Sequence, residues 1–108
     1  MSKDFLGMKT YYVYILECSD ASYYVGVTSC LTKRLFEHNK GINILAYTYK
    51  RRPVALKWYS EFTDVNLAIE KEKQLKGWSR RKKKALIDKD WEKLIRFSKN
   101  HSEVGSGE

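Results

Sequence analysis

Arg34 and His38 stand one helical turn apart in the segment LTKRLFEHNK, residues 31–40. Successive residues of an α-helix turn by about 100°, so positions i and i+4 lie on one face. Leu31 and Leu35 form an anchoring apolar pair, and Arg34 and His38 form a polar pair beside it. An arginine can hold a phosphate through two hydrogen bonds, and a histidine moves protons near neutral pH. The alternative is an exposed arginine and a surface histidine with no shared role.

Glu72 falls on the apolar face of a second predicted helix. At helical spacing, an apolar stripe runs through Val65, Ala68 and Ile69 to Glu72, whereas Glu70 points nearly the opposite way. A carboxylate among apolar side chains is costly unless a partner neutralises it. That partner is either a structural Arg or Lys or a divalent metal, because hard cations prefer oxygen ligands. The spacing alone leaves both alternatives open.

The segment from Tyr12 to Gly41 also carries four tyrosines. Tyrosines at strand spacing more often serve packing than catalysis. A tyrosine acts as a general base only where nearby positive charge lowers its pKa from about 10. A metal ion or an arginine in the same pocket would lower that pKa.

Strands are predicted where aromatic and β-branched residues concentrate, over residues 11–18 and 23–28. The turn-forming segment SDAS separates them, which predicts an antiparallel hairpin. Pro53 opens a third predicted strand over residues 54–62, since proline is tolerated where a strand begins. The element order β-β-α-β-α-α predicts an α+β fold, in which helices flank a three-stranded antiparallel sheet.

Capping signals mark the predicted helices. Thr28 or Ser29 is the expected cap of the first helix, which runs to about Lys40 and ends at Gly41. The second is expected over residues 65–76 and ends at Gly77. Ser79 is expected to cap a third helix, and Asp88 or Asp90 starts a further one.

A chain of 108 residues is expected to form one domain, here over residues 10–98. Residues 1–9 are predicted to be a flexible leader and residues 99–108 a disordered tail. No apolar run reaches the roughly 18 residues of a membrane span, and no secretory signal is recognisable. The two cysteines lack the spacing of a disulfide framework or a metal site, which favours a reducing, cytoplasmic setting.

The net charge of +8 arises from 21 basic and 13 acidic residues. A basic surface favours a polyanionic partner, because Lys and Arg neutralise phosphates and release counterions. Eight of the positive charges are clustered in KRR and RRKKK, which makes a nucleic acid the expected partner rather than solubility alone the reason for the charge. The residues expected to bind it are Lys50, Arg51, Arg52, Arg80, Arg81, Lys82, Lys83 and Lys84.

Taken together, these residues resemble the GIY-YIG nuclease domain. The triplet YVY, Tyr12–Tyr14, resembles its first signature, and YVG, Tyr24–Gly26, resembles its second. Arg34 stands where the family has a helix arginine, and His38 follows as in many members. Glu72, within AIEKEKQLKGW, matches the family's metal-binding glutamate. The resemblance spans about residues 11–84 and is strongest to small, single-domain, uncharacterised bacterial members.

The resemblance implies that five side chains converge on one surface depression: Tyr14, Tyr24, Arg34, His38 and Glu72. Gly26 would let the backbone turn closely toward the first helix, and the basic groups would flank the depression. Glu72 would hold one Mg²⁺ or Mn²⁺, which polarises the scissile phosphate. Tyr14 as a phenolate would deprotonate water, while Arg34 stabilises the phosphorane. Tyr24 and His38 would position the water or relay the proton, although the two tyrosines could exchange roles.

The implied function is a divalent-metal-dependent endonuclease that hydrolyses phosphodiester bonds in DNA, with repair or recombination as its setting. The first alternative is a nucleic-acid-binding module of the same fold with weak or lost catalysis. Four aromatic residues that could stack on bases support this alternative: Tyr47, Tyr49, Trp58 and Trp78. A third reading is a small partner-binding protein. The expected partner is DNA rather than RNA, with no membrane; a protein partner or homodimer stays open.

Overall fold

The computed structural model describes residues 9–99, and within this range the α+β prediction is confirmed. The elements, in chain order, are strands β1 (Tyr11–Glu17) and β2 (Tyr23–Thr28), helix α1 (Leu31–Lys40), strand β3 (Ala55–Phe62), and helices α2 (Val65–Lys76), α3 (Arg80–Ile87) and α4 (Trp91–Ser98). A short 3₁₀ turn, Tyr49–Arg51, was not predicted. None of the helices in the described range is long and apolar enough to cross a bilayer.

The expected leader and tail lie almost wholly outside the described residues. The chain divides into two compact units between Glu72 and Lys73. The first unit carries the sheet and α1, and the second carries α3 and α4. A single domain over residues 10–98 stays a prediction.

The sheet has the order β2-β1-β3, and both pairings are antiparallel, which confirms the predicted three-stranded antiparallel sheet. Tyr14 on the central strand lies opposite Gly26 on one side and Tyr59 on the other. In the pairing of β1 with β3, the register shifts between Ile15 and Leu16 of β1, which marks a β-bulge. Residues 13–16 are buried on both faces, as expected of a central strand.

One face of the sheet packs against α1. Its buried cluster consists of Tyr14, Leu16, Cys18 and Val54, with Tyr24, Leu31, Leu35 and Leu56 packed against it. The predicted pair Leu31 and Leu35 therefore anchors α1 to the sheet. Fixing α1 in this way also fixes the direction of the polar pair Arg34 and His38, since both pairs share one rigid helix.

The ends of α1 agree only in part with prediction. Its N-cap residue is Cys30, whose side chain makes no capping hydrogen bond. Thr28 acts one step earlier: its hydroxyl oxygen accepts a hydrogen bond from the Cys30 amide at 3.2 Å. Gly41 ends the helix in the left-handed conformation with φ 71°, as predicted, and its amide donates to the carbonyls of Glu37 and His38.

Both helices of the second unit, α3 and α4, begin with a side-chain cap. The hydroxyl of Ser79 accepts a hydrogen bond from the Lys82 amide at 3.2 Å, which caps α3 as predicted. The carboxylate of Asp90, the later of the two predicted starts, accepts from the Lys93 amide at 3.1 Å and caps α4.

Candidate active site

Tyr14, His38 and Thr48 form a continuous line of hydrogen bonds. The Tyr14 hydroxyl lies 3.1 Å from His38 Nε2, and His38 Nδ1 lies 2.8 Å from the Thr48 hydroxyl oxygen. Tyr14 and Thr48 are both buried, whereas the imidazole between them is half-buried. Each ring nitrogen therefore has a partner, and the imidazole is held at both ends.

Tyr24 lies against the same imidazole. Its ring centroid is 5.2 Å from that of His38 in an edge-to-face arrangement and 6.4 Å from that of Tyr14. On another side Tyr24 stacks on Tyr47, with centroids 6.1 Å apart and planes 22° apart. The hairpin and α1 thus bring together three of the predicted site residues, Tyr14, Tyr24 and His38.

A pocket of about 350 Å³ opens beside these rings. It is lined by Tyr24, Arg34, Glu37, His38, Gly41, Ile42, Asn43, Ala46 and Thr48. All of these residues belong to the first unit, and most come from α1 and the loop that follows it. The pocket therefore exposes Arg34 and His38 on a common wall, as their helical spacing predicted.

Arg34 is held by a neighbour on its own helix. Its Nε donates to a carboxylate oxygen of Glu37 at 3.2 Å, and both side chains are partly exposed. Such an exposed pair adds little stability, at most about 1 kcal/mol, but it orients the guanidinium. Burial is the largest influence on the pKa of Tyr14 and raises it, while the positive charge of Arg34 acts in the opposite direction.

The expectation that positive charge makes Tyr14 a ready phenolate is wrong for the protein alone. Burial and the neighbouring Tyr24 outweigh Arg34 and raise the pKa of Tyr14 to about 12. Burial disfavours the charged form because a phenolate loses its hydration there. Burial, and then the charge of Arg34, also hold the pKa of His38 below its ordinary value. At neutral pH the pair is therefore a neutral phenol beside a neutral imidazole.

After burial and Tyr24, the negative charge of Glu72 makes a smaller contribution to the raised pKa of Tyr14. The predicted apolar stripe around Glu72 is only partly correct. Ala68 is fully buried, but Val65 and Ile69 are 40% and 36% exposed, and Glu72 itself is half-buried. Glu72 is therefore not fully enclosed by apolar side chains, although the predicted stripe had suggested that it would be.

A single carboxylate fits the kind of metal site that the resemblance implies. No group of three or more His, Cys, Asp or Glu side chains that could hold a metal occurs within residues 9–99. Mg²⁺ commonly uses one or two carboxylates and completes its shell with water and substrate phosphate oxygens. Glu72, which is half-buried, would supply one such carboxylate.

Gly26 was expected to let the backbone turn toward α1, but it does not. It sits in the middle of β2, directly opposite Tyr14, and its φ is not in the positive range. A Cβ atom at this position would lie 2.5 Å from Tyr14 Cζ and would also strike the hydroxyl. The absence of a side chain at Gly26 makes room for the Tyr14 phenol, which is a role that depends on strand register.

The first basic group is largely occupied by local contacts. Arg51 Nε donates to Asp20 at 3.0 Å, and its guanidinium covers the Tyr47 ring at 3.8 Å. Arg52 donates to the carbonyl of Tyr49 at 2.8 Å and covers that ring. Lys50 is exposed.

The second basic group lies on α3, in the other unit. Lys82 covers the ring of Trp78 at 4.3 Å, and Arg81 covers Phe97 at 4.6 Å. Burial lowers the pKa of Lys83. That the two basic groups flank the depression stays a prediction.

The aromatic residues considered for base stacking are engaged within the protein. Tyr47 lies between Tyr24 and a guanidinium, while Tyr49 and Trp78 carry a basic side chain on one face. Trp58 is half-buried in β3. These contacts weaken the argument that the four rings form a stacking surface.

Sequence reasoning did not place three residues in this site: Glu37, Thr48, and Tyr47, which it had considered only for base stacking. Glu37 could have been found, because a Glu three residues after an Arg on one helix is a recognisable pair. Tyr47 and Thr48 belong to an irregular loop, residues 42–48, whose sequence has no periodicity from which their direction could be read.

The GIY-YIG catalytic domain matches the chain over residues 10–85. A UPF0213 protein of Syntrophus aciditrophicus is 41% identical over 87 residues, which are 81% of this chain and 100% of that protein. Another, from Bacillus pumilus, is 41% identical over 78 residues, 72% of this chain and 79% of that protein. The NMR structure of the protein EF2693 from E. faecalis superposes with a TM-score of 0.52 at 32% identity, covering 86% of this chain and 93% of that one. The fold, the order of the signature residues and these similarities agree: the chain belongs to the GIY-YIG catalytic domain family.

Proposed function

We propose that this protein is a divalent-metal-dependent endonuclease that hydrolyses phosphodiester bonds, with DNA as its preferred substrate. The observation that carries the proposal is the hydrogen-bonded line from Tyr14 through His38 to Thr48, beside a pocket that also contains Arg34. A buried phenol paired with a neutral imidazole can move a proton, and an adjacent guanidinium can stabilise a phosphorane. The setting in DNA repair or recombination rests on the family alone.

The proton route begins at Tyr14. In the tautomer that carries its proton on Nδ1, His38 donates to Thr48 and accepts the Tyr14 hydroxyl proton at Nε2. As Tyr14 gives this proton to His38, its oxygen takes a proton from the attacking water. The new hydroxide oxygen bonds to phosphorus, and the bond from phosphorus to the leaving oxygen breaks with its electron pair. A full phenolate, which a pKa of about 12 disfavours, is never required.

Arg34 and Tyr24 complete the protein's contribution. Arg34, oriented by Glu37, faces the pocket and would stabilise the negative charge that develops on the phosphorane oxygens. Tyr24 packs edge-on against His38 and lines the pocket, and it would position the attacking water toward the Tyr14 hydroxyl.

Glu72 would hold the metal, Mg²⁺ or Mn²⁺, together with water and phosphate oxygens. When bound, such an ion polarises the phosphate and supplies positive charge near the leaving oxygen. Lys50 and the exposed basic residues of α3 would contact phosphates without regard to sequence.

A panel of plasmid, flap, fork and RNA substrates with Mg²⁺ or Mn²⁺ tests this function. We expect the wild-type protein to cut at least one DNA substrate, and Tyr14→Phe to lose about 10²–10⁴-fold in rate because its hydroxyl relays the proton. A protein that binds these substrates but cuts none of them would instead be the nucleic-acid-binding module. Equal cleavage by wild type and Tyr14→Phe would remove Tyr14 from the mechanism.

The pH dependence of cleavage should report the protonation of His38. Only the neutral imidazole can accept the Tyr14 proton, and its pKa is depressed below the usual value near 6.5. Above about pH 6.5 the protonation state of His38 should therefore not affect the cleavage rate. The rate should fall as the pH drops through the depressed pKa of His38. His38→Gln should be slower and should lack this acid limb, measured as kcat/KM against pH. His101→Gln removes the other histidine and should keep the limb; an unchanged limb in His38→Gln would contradict the assignment.

A further inference from the structure

Two contacts fasten the loop after α1 to the turn between β1 and β2, and a third holds Arg51 within its own loop. The Ser19 amide donates to the Arg51 carbonyl at 2.8 Å, and Arg51 Nε donates to Asp20 Oδ2 at 3.0 Å. A terminal amino group of Arg51 donates to the Tyr47 carbonyl at 2.8 Å. Arg51 therefore joins two segments that are about 30 residues apart in sequence.

The same guanidinium begins a stack of rings that ends in the active site. It lies 3.8 Å above the Tyr47 ring, and Tyr47 stacks on Tyr24. Tyr24 in turn packs edge-on against His38. These contacts form an unbroken path from Arg51 through Tyr47 to Tyr24 and His38.

We propose that Asp20, Arg51 and Tyr47 form a positioning latch, whose role is to fix the ring of Tyr24 against His38. The effect of this latch on catalysis rests on the function proposed above. The latch also reassigns Arg51, which sequence reasoning had placed among the phosphate-binding residues. None of the three latch residues touches the reacting atoms; they act through Tyr24.

The contacts favour positioning over both phosphate binding and stability. Nε and a terminal amino group of Arg51 already donate to acceptors within the protein. One face of the guanidinium also covers the Tyr47 ring. The Arg51 and Asp20 side chains are 35% and 49% exposed, and ion pairs so exposed contribute little to the free energy of unfolding. Geometry is thus the larger consequence of the latch, since a misplacement of about 1 Å can cost 10²-fold in rate.

Asp20→Asn opens the latch selectively. Asp20 Oδ1 accepts from the Ser22 amide at 3.0 Å and from its hydroxyl at 2.6 Å, and an asparagine can keep both contacts. Its amide nitrogen, however, presents a donor to Arg51 in place of Oδ2. The matched control is Glu17→Gln, which removes the same charge from another surface ion pair, Glu17–Lys57, in the same unit.

Kinetics on the best-cut substrate of the panel test the latch. Asp20→Asn should lower kcat by roughly 10- to 100-fold with little change in KM, whereas Glu17→Gln should not. The kcat of Tyr47→Leu should be as low as that of Asp20→Asn. Tyr47→Phe should keep a kcat near that of the wild type, because it keeps the stacked ring. In a Tyr24→Phe background, Asp20→Asn should cost much less than in wild type if it acts through a precisely placed Tyr24 hydroxyl. Additive losses would overturn the proposal.

Two further measurements separate the latch from the nuclease hypothesis. The NMR resonances of the Tyr24 ring should shift in Asp20→Asn and not in Glu17→Gln, whether or not the protein cleaves DNA. Unchanged Tyr24 resonances in Asp20→Asn would overturn the latch. Arg51→Gln should leave the salt dependence of DNA binding unchanged. A slope lower by about 1 would instead make Arg51 a phosphate contact.

Discussion

Glu72→Gln is expected to abolish metal-dependent cleavage while leaving nucleic-acid binding intact or slightly stronger. A hard divalent ion requires the carboxylate charge, which glutamine lacks although it keeps the shape. Loss of a negative charge near the phosphates also removes a repulsion. The measurements are cleavage of the DNA panel with Mg²⁺ or Mn²⁺, and binding of the same DNA in the absence of metal.

Glu70→Gln is the matched control, because Glu70 stands on the same helix, carries the same charge and is exposed. It should cleave like the wild type. If Glu72 serves only as a structural ion-pair partner, its substitution should lower the free energy of unfolding and leave the rate per folded molecule unchanged. Full activity of Glu72→Gln with Mg²⁺ would remove this residue from the site altogether.

The spacing of residues along the sequence, together with the residues that begin and end helices and strands, predicted most of the fold. The bounds of β2 and α2 agree with the predicted residues 23–28 and 65–76, and Gly41 ends α1 as its type and place required. Helical spacing also put Arg34 and His38 on one pocket wall. These inferences succeeded because each depends on local geometry, which a short stretch of sequence determines.

The remaining features depend on long-range packing, which local patterns do not encode. The pKa of Tyr14 is a balance between burial and Arg34, and a sequence does not reveal how deeply a strand residue is buried. Val65 and Ile69 obey helical spacing but remain exposed, because the pattern does not say how wide a face is covered. Tyr47 and Thr48 reach the site from an irregular loop.

The role of Gly26 depends on long-range packing in the same way, and it leads to a second large expected effect. We expect Gly26→Ala to displace the Tyr14 phenol, because the new Cβ would lie 2.5 Å from Tyr14 Cζ. Tyr14 is buried in the central strand, so it cannot swing into solvent to relieve the clash. The hydroxyl should move away from His38 and the proton route should break. The expected loss is roughly 100-fold in cleavage rate, together with about 1–3 kcal/mol of stability from overpacking.

Gly77→Ala is the matched control for Gly26→Ala. A Cβ atom at Gly77 would meet nothing closer than the Gln74 carbonyl oxygen at 3.6 Å, an ordinary contact, and φ there is not in the left-handed range. The same substitution should therefore change the free energy of unfolding by no more than about 1 kcal/mol and leave the rate unchanged. Thermal unfolding and cleavage of the same DNA, measured on both variants, separate loss of the site from loss of the fold. If Gly26→Ala is destabilised but keeps its rate per folded molecule, Tyr14 has tolerated the displacement, and its contact with His38 is not what moves the proton.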